Sequence, residues 1–312
     1  LGNCHILYKK RAGAAMKKKV TAGAVLLLLL FLLCFPTEAL SASQKGLKLW
    51  LESLMPALLP FMILTGILIH TEGITKIVHP IAPFFKVVFG LSPGGTYVFL
   101  LGLLCGYPMG AKLCADLYYS GKISRQEANY LLTFCNNPSP AFLVSYVCGI
   151  CLEGKAKICT VLVLLMTSNL VCMIFFRIYF SFKKEKNVFC ICVESPSESS
   201  EGYNIDMAIM NGFETITRLG GYILLFSVGA AGIRHFWPFS PKGKYVFLGF
   251  TELTTGLYGL ADSPFSYELR FLLALCMSTF GGFCILAQTK SVLGKDLSFP
   301  LYASAKCINA VI

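Results

Sequence analysis
Two clusters of helix-breaking residues sit inside runs apolar enough to cross a membrane, and they constrain this chain more than any other feature. Pro108, with Gly106 and Gly110 around it, interrupts LLCGYPMGAK (103–112), and Asn136, Asn137, Pro138 and Pro140 interrupt LLTFCNNPSPAF (131–142). In hydrocarbon an unpaired backbone N–H or C=O costs several kcal/mol, so irregular backbone survives there only where protein buries it or a water-filled cavity meets it. The two breaks therefore predict a site at membrane depth.

The surrounding chain has the composition this requires. Over 312 residues it is 55% hydrophobic and 14% charged, with a mean hydropathy of +0.67, which is too apolar for an ordinary soluble globule. The expected fold class is an all-α polytopic membrane protein with about seven to eight transmembrane or re-entrant segments. A net charge of +11 would suit nucleic acid, but Lys9, Lys10, Arg11, Lys17, Lys18 and Lys19 all precede the first apolar run. That placement fits cytoplasmic anchors under the positive-inside rule, and no nucleic-acid partner is expected. Most of the fourteen cysteines lie in apolar segments, where a thiol acts as a small hydrophobe. Cys148 and Cys151 form a CxxC with a redox or metal reading, but no second CxxC and no suitably spaced histidine accompanies it. The isolated His5, His70, His79 and His235 assemble neither a metal cluster nor a Ser-His-Asp set, so no metal, cofactor or enzymatic activity is expected.

In chain order, Met16 reads as a natural start, making 1–15 an upstream extension. Residues 16–45 then read as a signal anchor, with cleavage in ALSAS (39–43) as the competing reading. Residues 46–180 form a first repeat. It opens with Trp50 as an interface anchor and with Pro56 and Pro60 bending the start of a span. Within it Gly102, Gly106 and Gly110 recur at every fourth position, which serves helix packing on one reading. Pro108 and Lys112 favour a discontinuous or re-entrant element at 94–117 instead. Ser124 and Glu127 form a capping box that starts the helix leading into NNPSP. A serine-rich polar linker, 181–204, separates a second repeat at 205–312.

The second repeat restates the first. YVFLLGLLCGYPMG (97–110) is echoed by YVFLGFTELTTG (245–256), LLTFC (131–135) by LLALC (272–276), and LLPFMILTG (58–66) loosely by GYILLFSVG (221–229). Threading the spans from a basic, internal N-terminus puts the KKEK at 183–186 inside, and the two halves then enter the membrane from opposite sides. Such inverted repeats place paired broken segments around a midplane site. Arg234, Lys242 and Lys244 fall outside on this threading, against the rule.

Several groups are candidates for that site. Glu252, with apolar sequence on both sides, is an ionisable residue at membrane depth; it reads as substrate or proton coordination, or as half of a structural pair with a basic residue. Lys112 suits an anionic solute, or pairs with Asp116 four residues on. Asn136, Asn137 and Ser139 offer amides and a hydroxyl, and a helix restarting after Pro140 would aim its positive end at the break; alternatively the asparagines satisfy carbonyls freed by the prolines. Gly106, Tyr107, Pro108, Gly110, Pro138, Thr254, Thr255 and Gly256 complete the candidate set. Threonines in membrane helices commonly bond back to their own backbone.

At GYPMGAK, the EAN-to-NNPSPAF stretch and the LPF of the early span, the sequence resembles the YlbJ-type sporulation integral membrane proteins, within the wider nucleoside-recognition Gate-domain family. The likeness covers most of 20–308. It implies a mother-cell protein of endospore-forming bacteria, in the outer forespore membrane, needed for moving dipicolinic acid toward the spore. It further implies ligand contacts on the broken hairpins, carried over to Gly106–Gly110, Asn136–Pro140 and Glu252–Gly256. A final span beyond YASAKCINAVI is expected to be missing or short. The expected function is alternating-access transport of a small anionic carboxylate such as dipicolinate, with Lys112, the asparagines and helix ends neutralising charge. The rival is a non-transporting assembly or signalling protein of the spore envelope. Expected partners are the solute, the lipid bilayer, and further copies or other spore membrane proteins.

Overall fold
The computed structural model of the chain describes residues 19, 21–70, 76, 78–182 and 205–312, and these residues form helices joined by short turns. The proposed 1–15 extension and nearly all of the 181–204 linker lie outside them. Four helices are long and apolar enough to cross a membrane: Pro36–Ile69, Ile158–Ser181, Ile205–Phe236 and Tyr267–Leu293. A fifth candidate is the pair Ala82–Phe89 and Pro93–Cys105, bent by 91°. The chain is an all-α polytopic membrane protein.

In order, α1 is Thr21–Cys34 and α2 is Pro36–Lys48, which passes through a π-helical turn, Leu49–Leu54, into α3, Met55–His70. Next come α4 (Ala82–Phe89), α5 (Pro93–Cys105), α6 (Met109–Tyr119), α7 (Arg125–Leu132), α8 (Pro140–Cys151, largely π-helical) and α9 (Ile158–Phe182). The second half contributes α10 (Ile205–Phe236), α11 (Pro241–Thr251), α12 (Leu253–Ala261), α13 (Tyr267–Phe280), α14 (Gly282–Leu293) and α15 (Phe299–Val311). The basic, proline-rich stretch that precedes α5 carries α4. Trp50 is not simply an interface anchor. Its indole N–H donates to Ile216 O at 2.9 Å, and its ring packs so closely on Gly220 that a Cβ there would lie 2.5 Å away, which pins α10 to the start of the early span.

The two halves use the same local chemistry in the same order. Ser92 caps α5 by accepting from Gly95 N, and Ser240 caps α11 by accepting from Gly243 N, each with proline at the first helical position, where its missing N–H costs nothing. The repeated stretch is thus SPGGTYVFL (92–100) against SPKGKYVFL (240–248), and it begins earlier than the YVFL echo. Each capped helix then turns back on itself. A Cβ on Gly102 would sit 3.1 Å from the Gly110 Cα, and one on Gly256 would sit 2.0 Å from the Gly249 Cα. Only glycine lets α5 meet α6, and α11 meet α12, at that distance, so these are two helical hairpins.

A serine-capped helix follows each hairpin and is broken. Ser124 accepts from Glu127 N and starts α7; Ser266 accepts from Leu269 N and starts α13. The expected capping box is only half formed, because the Glu127 carboxylate reaches across to accept from Ser92 N at 2.7 Å, tying α7 to the start of the first hairpin. α7 ends before Asn136–Ser139, and α8 resumes behind it. The span from Tyr267 to Leu293 is also interrupted, at Gly281 and Gly282, with φ of +88° and +81°. No proline marks that break, and the two glycines supply the backbone freedom instead. The packing is then reciprocal. The returning helix of the first hairpin, α6, lies along α14 beyond the second break, and that of the second hairpin, α12, lies along α8 beyond the first.

Candidate functional site
The first hairpin tip rests on the first break. Gly106 has φ +80°, and a Cβ there would fall 2.6 Å from Ser139 N, so the tip can seat only as glycine. Tyr107 and Pro108 follow across a cis peptide bond. The second tip rests on the second break in the same manner, with a Cβ on Gly282 falling 3.2 Å from Phe250 O. The two tips approach one another. Tyr107 packs into the cluster that holds Leu253 and Leu257 of the second hairpin. Its hydroxyl is buried with no hydrogen-bond partner among the described residues.

Asn136 is fully buried and uses both ends of its amide. Its Oδ1 accepts from Ala111 N at 3.4 Å, and its Nδ2 donates to Tyr302 Oη at 2.8 Å and to Thr289 Oγ1 at 3.1 Å. One side chain therefore joins the first break to α6, α14 and α15. Asn137 donates from Nδ2 to Phe134 O at 2.6 Å, a carbonyl released by the end of α7, and accepts at Oδ1 from Lys306 Nζ at 3.0 Å. Asn137 thus satisfies a freed carbonyl, whereas Asn136 binds a backbone N–H of α6 and the hydroxyls of α14 and α15. Ser139 caps the restart of α8 by accepting from Phe142 N at 3.2 Å.

Lys306 was missed by sequence reasoning. It lies in α15, in a stretch that reads as a trailing end, and only 1% of it is exposed. No carboxylate is within ion-pair distance of it among the described residues, so its ammonium faces the break with an amide oxygen as its partner. The available signal was Lys306 standing alone in the apolar PLYASAKCINAVI, the pattern used to single out Glu252. Beside it, Asn137, Asn169, Asn309 and Thr279 line a cavity of about 10 Å³. Asn169, 6% exposed, points an Oδ1 there that no described donor reaches.

Glu252 occupies the second tip and is 5% exposed. It has no basic partner among the described residues; instead it caps its own helix. Oε1 accepts from Thr254 N at 3.1 Å and Oε2 from Thr255 N at 2.7 Å, while Thr254 Oγ1 lies 2.7 Å from both oxygens. The negative charge thus sits on the positive end of α12, where the macrodipole and free N–H groups compensate it. Thr254 bonds to this carboxylate, not back to its own helix, and Gly256 serves the hairpin contact with Gly249. Lys112 is not brought to the tips. Gly110 packs against Cys135 and Asn136, and Lys112, two residues on, turns toward α3 and α10, where it pairs with Asp116 and lines a cavity of about 180 Å³. Cys148 and Cys151 are buried free thiols, and no metal-ligating cluster is found among the described residues.

No protein-family model matches the chain, and no solved structure matches it. Among curated proteins it is similar to the sporulation integral membrane protein YlbJ of Bacillus subtilis strain 168. The two are 25% identical over 318 residues, an alignment covering 90% of this chain and 77% of that protein. Together with the all-helical membrane architecture, this similarity supports a YlbJ-type sporulation integral membrane protein.

Proposed function
We propose that the protein moves a small organic anion, most simply dipicolinate, across the outer forespore membrane during sporulation, by alternating exposure of the region where the two hairpin tips meet the two breaks. The reading places it with the Gate group of nucleoside-recognition proteins and assigns it no enzymatic step. The observation that carries it is Lys306. A buried ammonium with an amide as its partner is costly, and ionisable groups at such depth usually face a solute path or a counter-charge. A carboxylate arriving at the break would supply that counter-charge, with the Tyr107 hydroxyl and the Asn136 and Asn137 amides as further partners. Glu252, neutralised by its own helix end, would bear on coupling or gating.

Because the halves share element order and pack reciprocally, an inverted pair that exchanges the two hairpins' exposure is the natural mechanism. Uptake of labelled dipicolinate into vesicles carrying the purified protein tests the reading. Transport that weakens in Asn137→Ala and Glu252→Gln is expected. Absence of uptake, with both variants leaving sporulation intact, would favour the rival, an assembly or signalling protein in which the breaks serve packing.

A further inference from the structure
The 180 Å³ cavity runs from the first tip along α6, on the side away from Gly110, the residue that packs against Cys135 and Asn136. Met109, Lys112, Asp116 and Tyr119 line it from α6, Thr65 from α3 and Asn211 from α10. The α6 residues fall at helical spacings of three, seven and ten, so they form one stripe running the whole length of an 11-residue helix, about 16 Å. The stripe begins at the residue after Pro108, at the tip, and reaches Ser120 at the far end. Methionines and Ile69 make the apolar part of the wall. An engineered cavity of about 150 Å³ accepts a benzene ring, so this one admits a single ring with small substituents.

Its charges are arranged for exchange. Lys112 is paired with Asp116, and the two side chains are 19% and 32% exposed. The more exposed partner, Asp116, can turn to water if another carboxylate takes its place. Lys112, more enclosed, stays in the wall. We propose that this cleft is a second station for the solute, where Lys112 receives a carboxylate of a single-ring organic anion in exchange for Asp116. Thr65, whose hydroxyl donates to Phe61 O at 2.6 Å, lines the cleft from α3, and Asn211 lines it from α10 with an amide that can donate to a carboxylate. The station rests on the transport reading above and adds to it a place for the anion on its way to or from the tips.

The exchange predicts opposite signs for the two halves of the ion pair, which a purely structural pair would not give. With dipicolinate as probe, binding to the full chain in detergent is read as the concentration giving half of the maximal thermal stabilisation. Lys112→Gln should raise that concentration at least tenfold, Lys112→Arg should keep it within about threefold, and Asp116→Asn should lower it by about threefold. The cleft is overturned if Lys112→Gln leaves binding unchanged, or if Lys112→Gln and Asp116→Asn shift it the same way. Should Lys112→Gln fail to fold, the sign for Asp116→Asn decides alone. Wild-type protein that takes up dipicolinate while these variants miss their signs sinks the station and spares the transport reading. Wild-type protein that neither binds nor moves it sinks both.

Discussion

Lys306 Nζ lies 3.0 Å from Asn137 Oδ1, linking the last helix described to the first helix break across 169 positions of sequence. The same asparagine's Nδ2 holds Phe134 O, so the amide is oriented by the end of α7 and presents its oxygen to the ammonium. A broken helix and a buried charge thereby become one feature.

Replacing Lys306 by methionine should separate function from folding. Exchanging a buried charge for an apolar chain of similar volume is often neutral or stabilising. The expected result is a melting temperature at or above that of the wild type, with dipicolinate uptake down at least tenfold. Uptake that survives would remove Lys306 from the solute path.

Asn136→Ala should act mainly on stability. It strips Ala111 N of its acceptor and Tyr302 Oη of its closest donor, and each buried group left unsatisfied costs about 1–3 kcal/mol. A melting temperature several degrees lower is expected in thermal denaturation. An unchanged value would mean that the network across α6, α14 and α15 contributes nothing.

Gly106→Ala and Gly121→Ala form a matched pair. Both glycines have positive φ, +80° and +70°, so both variants carry backbone strain, and Gly106→Ala the more, because its ψ of −172° lies in a region essentially reserved for glycine. Nothing lies within 4 Å of a Cβ on Gly121, whereas one on Gly106 meets Ser139 N at 2.6 Å. Gly106→Ala should therefore destabilise clearly more, and equal losses would refute the seating of the tip on the break.

Glu252→Ala leaves the N–H groups of Thr254 and Thr255 uncapped, a loss of about 0.5–2 kcal/mol. Glu252→Gln retains one acceptor oxygen and should cost less. If Glu252→Gln melts close to the wild type yet transports poorly, the charge and not the cap is what function needs; equal transport would leave Glu252 a cap alone.

Single cysteines at Lys122 and Lys242, in a background lacking other reactive thiols, report the orientation of the halves. An impermeant thiol reagent added from one side should label only one of the two positions. Labelling of both from the same side would remove the inverted arrangement.

The breaks themselves were legible in the sequence, because Pro108, Asn136, Asn137 and Pro138 have no use inside a continuous membrane helix, and because Ser124 and the YVFL repeat are local signals. The second break was not, since Gly281 and Gly282 look like ordinary packing glycines until their left-handed backbone is seen. Tertiary structure alone decided which polar groups meet. Glu252 could be picked out as ionisable at depth, but its satisfaction by the two N–H groups that follow depends on the chain turning extended at that residue, with φ −139° and ψ 113°. Lys112 could be identified as a charge near the first break, yet two helical steps beyond Gly110, which meets the break, send it to the opposite face. Lys306 reaches Asn137 only because α15 folds back against the first half. Sequence spells out where backbone polarity must be accommodated, through local steric and hydrogen-bonding limits. Which distant side chain accommodates it follows from long-range packing, for which residue spacing carries no signal.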